Sequence, residues 1–242
     1  MVDNKKLKIA ALVTARGKNT LSNKHMILVD DKPLVWYPIT VAKQCPSIEK
    51  YYISSDDANI LKLGEEEGYQ IIKRPEDISL PTSLHVDAIT HALESMAEKD
   101  KYIPDILVVL LGNTVYFKSE WIEESIKILS EDKDVSAVVP AYLQNNHHPY
   151  RAKYLDSDGY LKTYFDFAEK GVSTNRQDLP ENYFLCHNFW VLNVEKSIKS
   201  VGGQVPWVFM GEKIRPLILS EGPDVHEMED IDLCQSWLEK NK

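Results

Sequence analysis

Four short clusters of polar residues carry side chains that could bind and transfer a phosphate-containing group. The first cluster follows the first apolar run of the chain and consists of Ala15, Arg16, Gly17, Lys18, Asn19 and Lys24. Cations and free backbone N–H groups at the end of a strand can surround a phosphate. The spacing matches neither Gly-x-Gly-x-x-Gly nor the P-loop, so a solvated basic loop is the alternative interpretation.

The second and third clusters follow two further apolar runs. Lys73 and Arg74 come directly after residues 69–72, with Thr82 and Ser83 a few positions later, and an exposed loop arginine is the alternative to a ligand contact by Arg74. Gly112 and Asn113 follow the apolar run 105–111. Glycine lets a ligand approach the backbone closely, and asparagine offers both a donor and an acceptor, although a tight turn also favours this pair.

The fourth cluster is Asp224 and His226, which precede the last helical segment. Side chains two residues apart on an extended segment point the same way, so both could reach one metal ion. The alternative is a helix-capping aspartate beside an exposed histidine. No Ser-His-Asp set, paired catalytic carboxylates or Cys-His arrangement stands out. The residue types in the four clusters therefore favour a reaction driven by positioning and charge neutralisation, such as phosphoryl or nucleotidyl transfer.

Composition limits the class of partner. The chain of 242 residues has 28 Lys and Arg against 37 Asp and Glu, a net charge of −9. Nucleic-acid binding is disfavoured because a phosphate backbone needs clustered positive charge. No apolar run approaches the ~20 residues of a membrane span, so no membrane partner is expected. Three widely separated cysteines without metal spacing indicate a reduced, cytoplasmic protein.

Apolar strand-like runs alternate with amphipathic helical segments from residue 8 to about 140. This alternation predicts an α/β, Rossmann-like fold with a mostly parallel sheet, whose ligands lie at the carboxyl ends of the strands. Beyond residue 140, aromatic, basic and turn residues around Asp158 and Gly159 predict a protruding hairpin. We interpret residues 1–242 as one domain: a nucleotide-binding core (8–140), a hairpin excursion (141–190), and a completing strand, metal motif and terminal helix (191–242).

Taken in order, these segments resemble the cytidylyltransferase family that makes CMP-activated acidic sugars of the acylneuraminate and 3-deoxy-manno-octulosonate types. The matching segments are residues 11–17 with Lys24, 53–57, 74–75 with 81–83, 147–151, 175–180 and 224–230. The resemblance covers nearly the whole chain. It implies a glycosyltransferase-A or nucleotidyltransferase sheet, CTP and Mg²⁺, release of pyrophosphate, and a homodimer joined through the 141–190 excursion.

The resemblance also implies roles for individual residues. Arg16, Lys18 and Lys24 would neutralise charge during catalysis. Arg74 would contact the nucleotide. From the polar clusters themselves, we also expect nucleotide contacts from Ala15, Gly17, Asn19, Thr82, Ser83, Gly112 and Asn113, although Gly112 and Asn113 depart from the family's pattern. Asp224 and His226 would hold the metal, and because His226 replaces the family's second aspartate, Mn²⁺ is an alternative to Mg²⁺. An anionic acceptor would meet Arg151, Arg176 and Gln177, supplied across a dimer interface, with salt bridging in the hairpin as the alternative.

A narrower likeness predicts a particular acceptor. Residues 183–193 and 206–211 resemble the cytidylyltransferases of the capsular phosphoramidate pathway, which act on L-glutamine phosphate and make a CDP-linked product. A phosphate acceptor arrives ionised and needs no general base, whereas a sugar hydroxyl needs one. The alternatives are a synthetase for CMP-linked sialic or legionaminic-type sugar acids, a glycosyltransferase on the same fold, and a non-catalytic nucleotide-binding module.

Overall fold

The computed structural model describes residues 6–19, 21–167 and 171–241, and strands alternate with α-helices from residue 50 to residue 143. The strands are β1 (Ile9–Thr14), β2 (Leu28–Val29), β3 (Lys32–Pro33), β4 (Lys50–Ser55), β5 (Gln70–Lys73), β6 (Ile106–Leu111), β7 (Ala137–Leu143), β8 (Lys153–Leu155), β9 (Leu161–Thr163), β10 (Tyr183–Leu185), β11 (Phe189–Asn193) and β12 (Ile214–Ile218). The α-helices are α1 (Trp36–Lys43), α2 (Ala58–Glu66), α3 (His85–Asp100), α4 (Ser119–Glu131) and α5 (Asp230–Lys240).

Eight strands form one sheet in the order β10-β7-β11-β6-β1-β4-β5, with β12 paired to β7. The pairs β1–β4, β1–β6, β4–β5 and β12–β7 are parallel, whereas β11 runs antiparallel to β6 and β7. The predicted α/β class with a mostly parallel sheet is therefore confirmed. The register pairs Thr14 with Ser54 on one side and with Leu111 on the other, so the loops after these strands emerge side by side.

Alternating side chains on the central strands build two apolar layers. Ala11 and Val13 of β1 face the layer beneath α1, α2 and α4, whereas Ala10 and Leu12 face the layer beneath α3. The helix α3 buries its apolar face in the second layer, with Ile89, Ala92 and Met96 among its buried residues. Two covered faces explain why the central strands are uniformly apolar.

Two helix starts differ from what the local sequence favours. Proline commonly occupies the first turn of a helix, but Pro33 lies in β3, and α1 begins at Trp36. Thr82 and Ser83 are typical of a helix start, yet α3 begins at His85, because the Ser83 hydroxyl instead accepts from the backbone N–H of Leu80 and closes a turn. The segment 81–84 therefore precedes α3 as a turn.

The predicted hairpin around Asp158 and Gly159 is confirmed: β8 pairs with β9, and Gly159 adopts a φ of 82°. The same excursion also contributes β10 to the main sheet, a strand that the hydrophobic pattern did not reveal. Among the described residues, no helix is both long and apolar enough to cross a bilayer.

Candidate active site

A cavity of about 460 Å³ opens at the carboxyl ends of the central parallel strands. Three of the four polar clusters lie at those ends because β1, β5 and β6 run in the same direction. The predicted residues that line the cavity are Ala15, Arg16, Asn19, Lys24, Arg74, Ser83, Gly112, Asn113, Asp224 and His226. Residues from distant parts of the chain therefore meet, as expected for a ligand site in an open α/β sheet.

Three cations share this cavity. Arg16 donates from Nη1 to the Leu80 carbonyl at 2.8 Å, and Lys24 donates from Nζ to the Val225 carbonyl at 2.8 Å. Arg74 is buried and donates from Nε and Nη2 to the hydroxyl and carbonyl of Ser54. Burial lowers the pKa of Arg74 to about 10, and burial together with the charge of Arg16 lowers the pKa of Lys24. A bound anion would stabilise the charged forms of both Arg74 and Lys24. Buried cations that an anion would stabilise are typical of a phosphate site.

His25 ties the first loop to the end of β6. Its Nδ1 donates to the Gly112 carbonyl at 2.8 Å, and a Cβ atom on Gly112 would lie 3.0 Å from Nδ1. The carbonyl can only accept, so Nδ1 carries the proton and Nε2 is left as an acceptor. Burial lowers the pKa of His25 to about 4, so the ring is neutral at pH 7. Glycine at 112 is required for this close approach.

We predict that His25 contributes to acid sensitivity. Between pH 6.5 and 4 the unfolded chain protonates His25 while the folded chain does not, so the free energy of unfolding falls as pH falls. The full contribution is roughly 3 kcal/mol at about 1.36 kcal/mol per unit of pKa shift. In His25→Asn, urea unfolding at pH 7.0, 5.5 and 4.5 should show a shallower pH dependence than in wild type. His147→Asn, an exposed histidine, is the control, and parallel slopes in His25→Asn and wild type would contradict the prediction.

Asp224 is held at the end of β6 by contacts that span the chain. Its Oδ1 accepts from the Asn113 side-chain amide, and its Oδ2 lies 3.1 Å from Nε2 of His226. The backbone N–H of Val225 donates to the Asn113 carbonyl at 2.8 Å, which fixes the 224–226 segment against the end of β6. Burial raises the pKa of Asp224, while the neighbouring His226 and Lys24 oppose that shift. The cavity thus sets one carboxylate beside the cations.

Three predicted residues of the first two clusters do not line the cavity. Gly17 donates its N–H to Asp56 at 2.7 Å, and its missing Cβ would lie 3.0 Å from Cβ of Asp57. Lys18 is exposed and pairs with Glu76 at 2.5 Å, whereas the other cations line the cavity. Thr82 is exposed in the turn before α3. In this chain Gly17 supports the loop, and direct roles for Lys18 and Thr82 stay predictions.

The predicted acceptor residues lie outside the cavity of the single chain. Arg151, Arg176 and Gln177 are exposed on the excursion, and Arg176 donates to the side-chain oxygen of Asn146. Their role as acceptor ligands therefore stays a prediction that depends on a second chain.

Besides His25, three further aromatic residues line the cavity and were not predicted as site residues: His85, His187 and Trp207. The rings of His187 and Trp207 lie 5.2 Å apart, and the ring of His85 meets that of Trp190 edge-on at 5.3 Å. His187 and Trp207 fall within residues 183–193 and 206–211, the segments that resemble the phosphoramidate-type enzymes. This resemblance was the signal in the sequence that could have identified them as site residues. Nothing in the local pattern distinguished their rings from core aromatics.

Two curated proteins are similar in sequence to part of this chain. An N-acylneuraminate cytidylyltransferase from Escherichia coli O18:K1:H7 is 29% identical over 140 residues, 57% of this chain and 32% of that protein. A Helicobacter pylori protein is 25% identical over 179 residues, 73% of this chain and 33% of that protein. Its name is pseudaminic acid cytidylyltransferase and UDP-2,4-diacetamido-2,4,6-trideoxy-beta-L-altropyranose hydrolase. The chain thus matches about a third of the length of these relatives.

Solved structures share the fold over nearly the whole chain. A CMP:2-keto-3-deoxy-manno-octonic acid synthetase complexed with CTP has a TM-score of 0.68 at 14% identity, covering 97% of this chain and 100% of that one. The 4-diphosphocytidyl-2C-methyl-D-erythritol synthase from Anaerococcus prevotii has a TM-score of 0.63 at 14% identity, covering 97% of this chain and 99% of that one. The cytidylyltransferase family model matches residues 10–189. The chain therefore belongs to the cytidylyltransferase family.

Proposed function

We propose that this protein transfers CMP from CTP to a small anionic acceptor and releases pyrophosphate. The observation that carries the proposal is the cavity in which Arg16, Lys24 and Arg74 meet the carboxylate of Asp224 at the strand ends. Family membership supports cytidylyl transfer, and the octonic acid synthetase that shares the fold is complexed with CTP. A cationic cavity suits a triphosphate whose negative charge grows on the departing pyrophosphate.

In this mechanism an acceptor oxygen forms a bond to the α-phosphorus of CTP as the bond to the bridging oxygen of pyrophosphate breaks. Arg16 and Lys24 neutralise the charge that moves onto pyrophosphate. Arg74 is fixed by its two donations to Ser54, so its guanidinium can orient the nucleotide without first being ordered. A phosphate acceptor would require no proton transfer at the attacking oxygen.

The residues present fit a divalent cation that arrives with the nucleotide. Among residues 6–19, 21–167 and 171–241, no group of three or more His, Cys, Asp or Glu side chains is arranged to hold a metal ion. Mg²⁺ commonly binds through one or two carboxylates plus substrate phosphates, which matches a cavity with Asp224 and cations. Bound there, the ion would supply additional charge neutralisation at the phosphates.

The metal role of His226 is testable by replacement. Its Nε2 lies 3.1 Å from Asp224, and its side chain is 71% exposed, so it could either bind the ion or orient the carboxylate. If it is a ligand, His226→Ala should lower CMP transfer at least fivefold and reduce the Mn²⁺-to-Mg²⁺ activity ratio, because imidazole favours Mn²⁺ over Mg²⁺. Initial rates with each metal measure both quantities, with His147→Ala as the control. Unchanged Mg²⁺ activity would remove His226 from the metal site.

Two acceptors have separate support. The first is L-glutamine phosphate, favoured by the likeness of residues 183–193 and 206–211 to the phosphoramidate-type enzymes and by the presence of His187 and Trp207 in the cavity wall. The second is a 2-keto-3-deoxy sugar acid, favoured by the relatives named for N-acylneuraminate and pseudaminic acid. Either product could serve the modification of surface or capsular polysaccharide.

The experiment that tests the function is release of pyrophosphate from CTP with Mg²⁺. We expect release with L-glutamine phosphate, and a panel of 2-keto-3-deoxy sugar acids is run in parallel. Release only with a sugar acid would instead identify a CMP-sugar synthetase. Saturable CTP binding without release with any acceptor would contradict the proposal and support a non-catalytic module, whereas use of a nucleotide sugar without pyrophosphate release would identify a glycosyltransferase.

We further propose that the protein is a homodimer joined through the excursion. Large apolar side chains are exposed there in one chain: Tyr154, Leu155, Tyr160, Leu161 and Tyr164, the last at 63%. Large exposed apolar patches commonly mark interfaces. A dimer is also what would allow Arg151, Arg176 and Gln177 to reach a neighbouring chain's acceptor. Sedimentation at micromolar concentration should give twice the mass of 27.7 kDa, and a monomer would contradict this arrangement.

A further inference from the structure

A second cavity, of about 560 Å³, lies beside the first. The two cavities share His187 and Asp224 in their walls. A molecule whose reacting oxygen reaches the α-phosphate beside Asp224 could therefore extend past these two residues into the second cavity. This space has no role in the proposed transfer of CMP, and Arg151, Arg176 and Gln177 do not line it.

One wall of the second cavity is aromatic. The rings of Tyr116 and Trp237 meet edge-on with centroids 5.3 Å apart. Gly222 lies against the same tyrosine, and a Cβ at this position would be 2.2 Å from the Tyr116 ring. The glycine thus lets the 220–224 segment pass close to the ring. This wall suits the short hydrocarbon part of a small molecule.

The remaining wall carries both signs of charge. Glu221 lies beside the Tyr142 hydroxyl, and burial together with this carboxylate raises the pKa of Tyr142. Lys240, in the last turn of α5, lines the same cavity. A carboxylate and an ammonium group in one small space complement a ligand that carries an ammonium and a carboxylate of its own. A sugar acid offers the carboxylate but no ammonium group.

We propose that the second cavity binds the α-amino-acid end of the acceptor, with Glu221 facing its ammonium group and Lys240 its carboxylate. This inference rests on the proposed CMP transfer and narrows the acceptor to an amino-acid phosphate. The phosphate lies at the junction formed by Asp224 and His187, and the carbon chain lies along Tyr116 and Trp237. The cavity then selects against sugar acids because Glu221 would face an anion or a hydroxyl instead of a cation.

The proposal is tested by pairing an enzyme variant with an altered ligand. Wild type should show a KM for L-glutamine phosphate at least tenfold lower than for the same compound lacking the α-amino group. In Glu221→Gln the two KM values should agree within twofold, because the group that recognised the ammonium is gone. The KM for CTP should stay within twofold of wild type. Glu239→Gln, an exposed carboxylate on α5, is the matched control and should retain the tenfold preference.

Lys240→Met provides the complementary test with the α-carboxamide form of the ligand. Wild type should prefer the carboxylate form at least fivefold, and the variant should lose that preference. A wild-type preference that persists in both variants would overturn the proposal. Both replaced residues are exposed, so folding should be retained, and thermal unfolding checks this.

A binding measurement separates this proposal from the proposed function. Saturation-transfer NMR with L-glutamine phosphate as the probe requires no turnover. Binding that weakens in Glu221→Gln, in an enzyme that releases no pyrophosphate, would support the cavity assignment while contradicting CMP transfer. Turnover of L-glutamine phosphate with unchanged binding and KM in Glu221→Gln would support CMP transfer and overturn the cavity assignment. Absence of probe binding to wild type would also overturn it.

Discussion

Asp224→Asn should lower kcat/KM for CMP transfer at least 100-fold, which corresponds to about 2.7 kcal/mol of transition-state stabilisation. Among the described residues that line the first cavity, Asp224 is the one carboxylate. Its replacement removes the negative charge that would hold a cation at the phosphates. It also sets a side-chain amide where the Asn113 amide now donates to an oxygen. Initial rates of pyrophosphate release over a range of CTP and acceptor concentrations measure the effect.

The control for this prediction is Asp232→Asn on the exposed side of α5. This substitution removes the same charge from the surface without touching the cavity, so activity should remain within twofold of wild type. Circular dichroism and thermal unfolding of both variants establish that the fold is retained. An Asp224→Asn enzyme within threefold of wild type would show that the carboxylate has no part in the reaction.

Arg74→Lys should raise the KM for CTP at least tenfold and also lower the melting temperature. The buried guanidinium binds Ser54 through two nitrogens, and a lysine cannot reproduce that forked contact. Leaving the Ser54 carbonyl without a charged donor costs about 1–3 kcal/mol. At ~2–4 °C per kcal/mol for a chain of this size, we expect a fall of several degrees. Nucleotide titration and thermal unfolding measure the two effects.

Comparing CTP-free and CTP-saturated enzyme separates the two roles of Arg74. If the residue binds nucleotide, CTP should raise the melting temperature of Arg74→Lys by less than that of wild type. A melting temperature that falls while the CTP-induced rise is unchanged would make Arg74 a structural residue alone. Arg215→Lys, an exposed arginine paired with Asp132, is the control and should change neither quantity.

Much of the fold was predictable because its signal is local. The apolar runs that form β1 and β6 are continuous, since every residue of these strands is buried between the two helical layers. The short strand β10 and the edge strand β12 were missed. In β12 only Leu217 is fully buried, and the strand contains Pro216, so no apolar run marks it. Such strands are defined by pairing with β7 rather than by their own pattern.

The candidate site likewise has features that the sequence predicts and features that only tertiary contacts define. The sequence alone determined that Arg16, Lys24, Arg74 and Asn113 lie at one edge, because residues that follow parallel strands must emerge together. Only the tertiary structure decided which side chains turn inward: Lys18 pairs with Glu76 at the surface and does not line the cavity, whereas Ser54 holds Arg74 at the cavity wall. Only the tertiary structure brought Asp224 to Asn113, 111 residues earlier in the chain. A side chain's direction and a contact between distant segments depend on partners that no local pattern specifies.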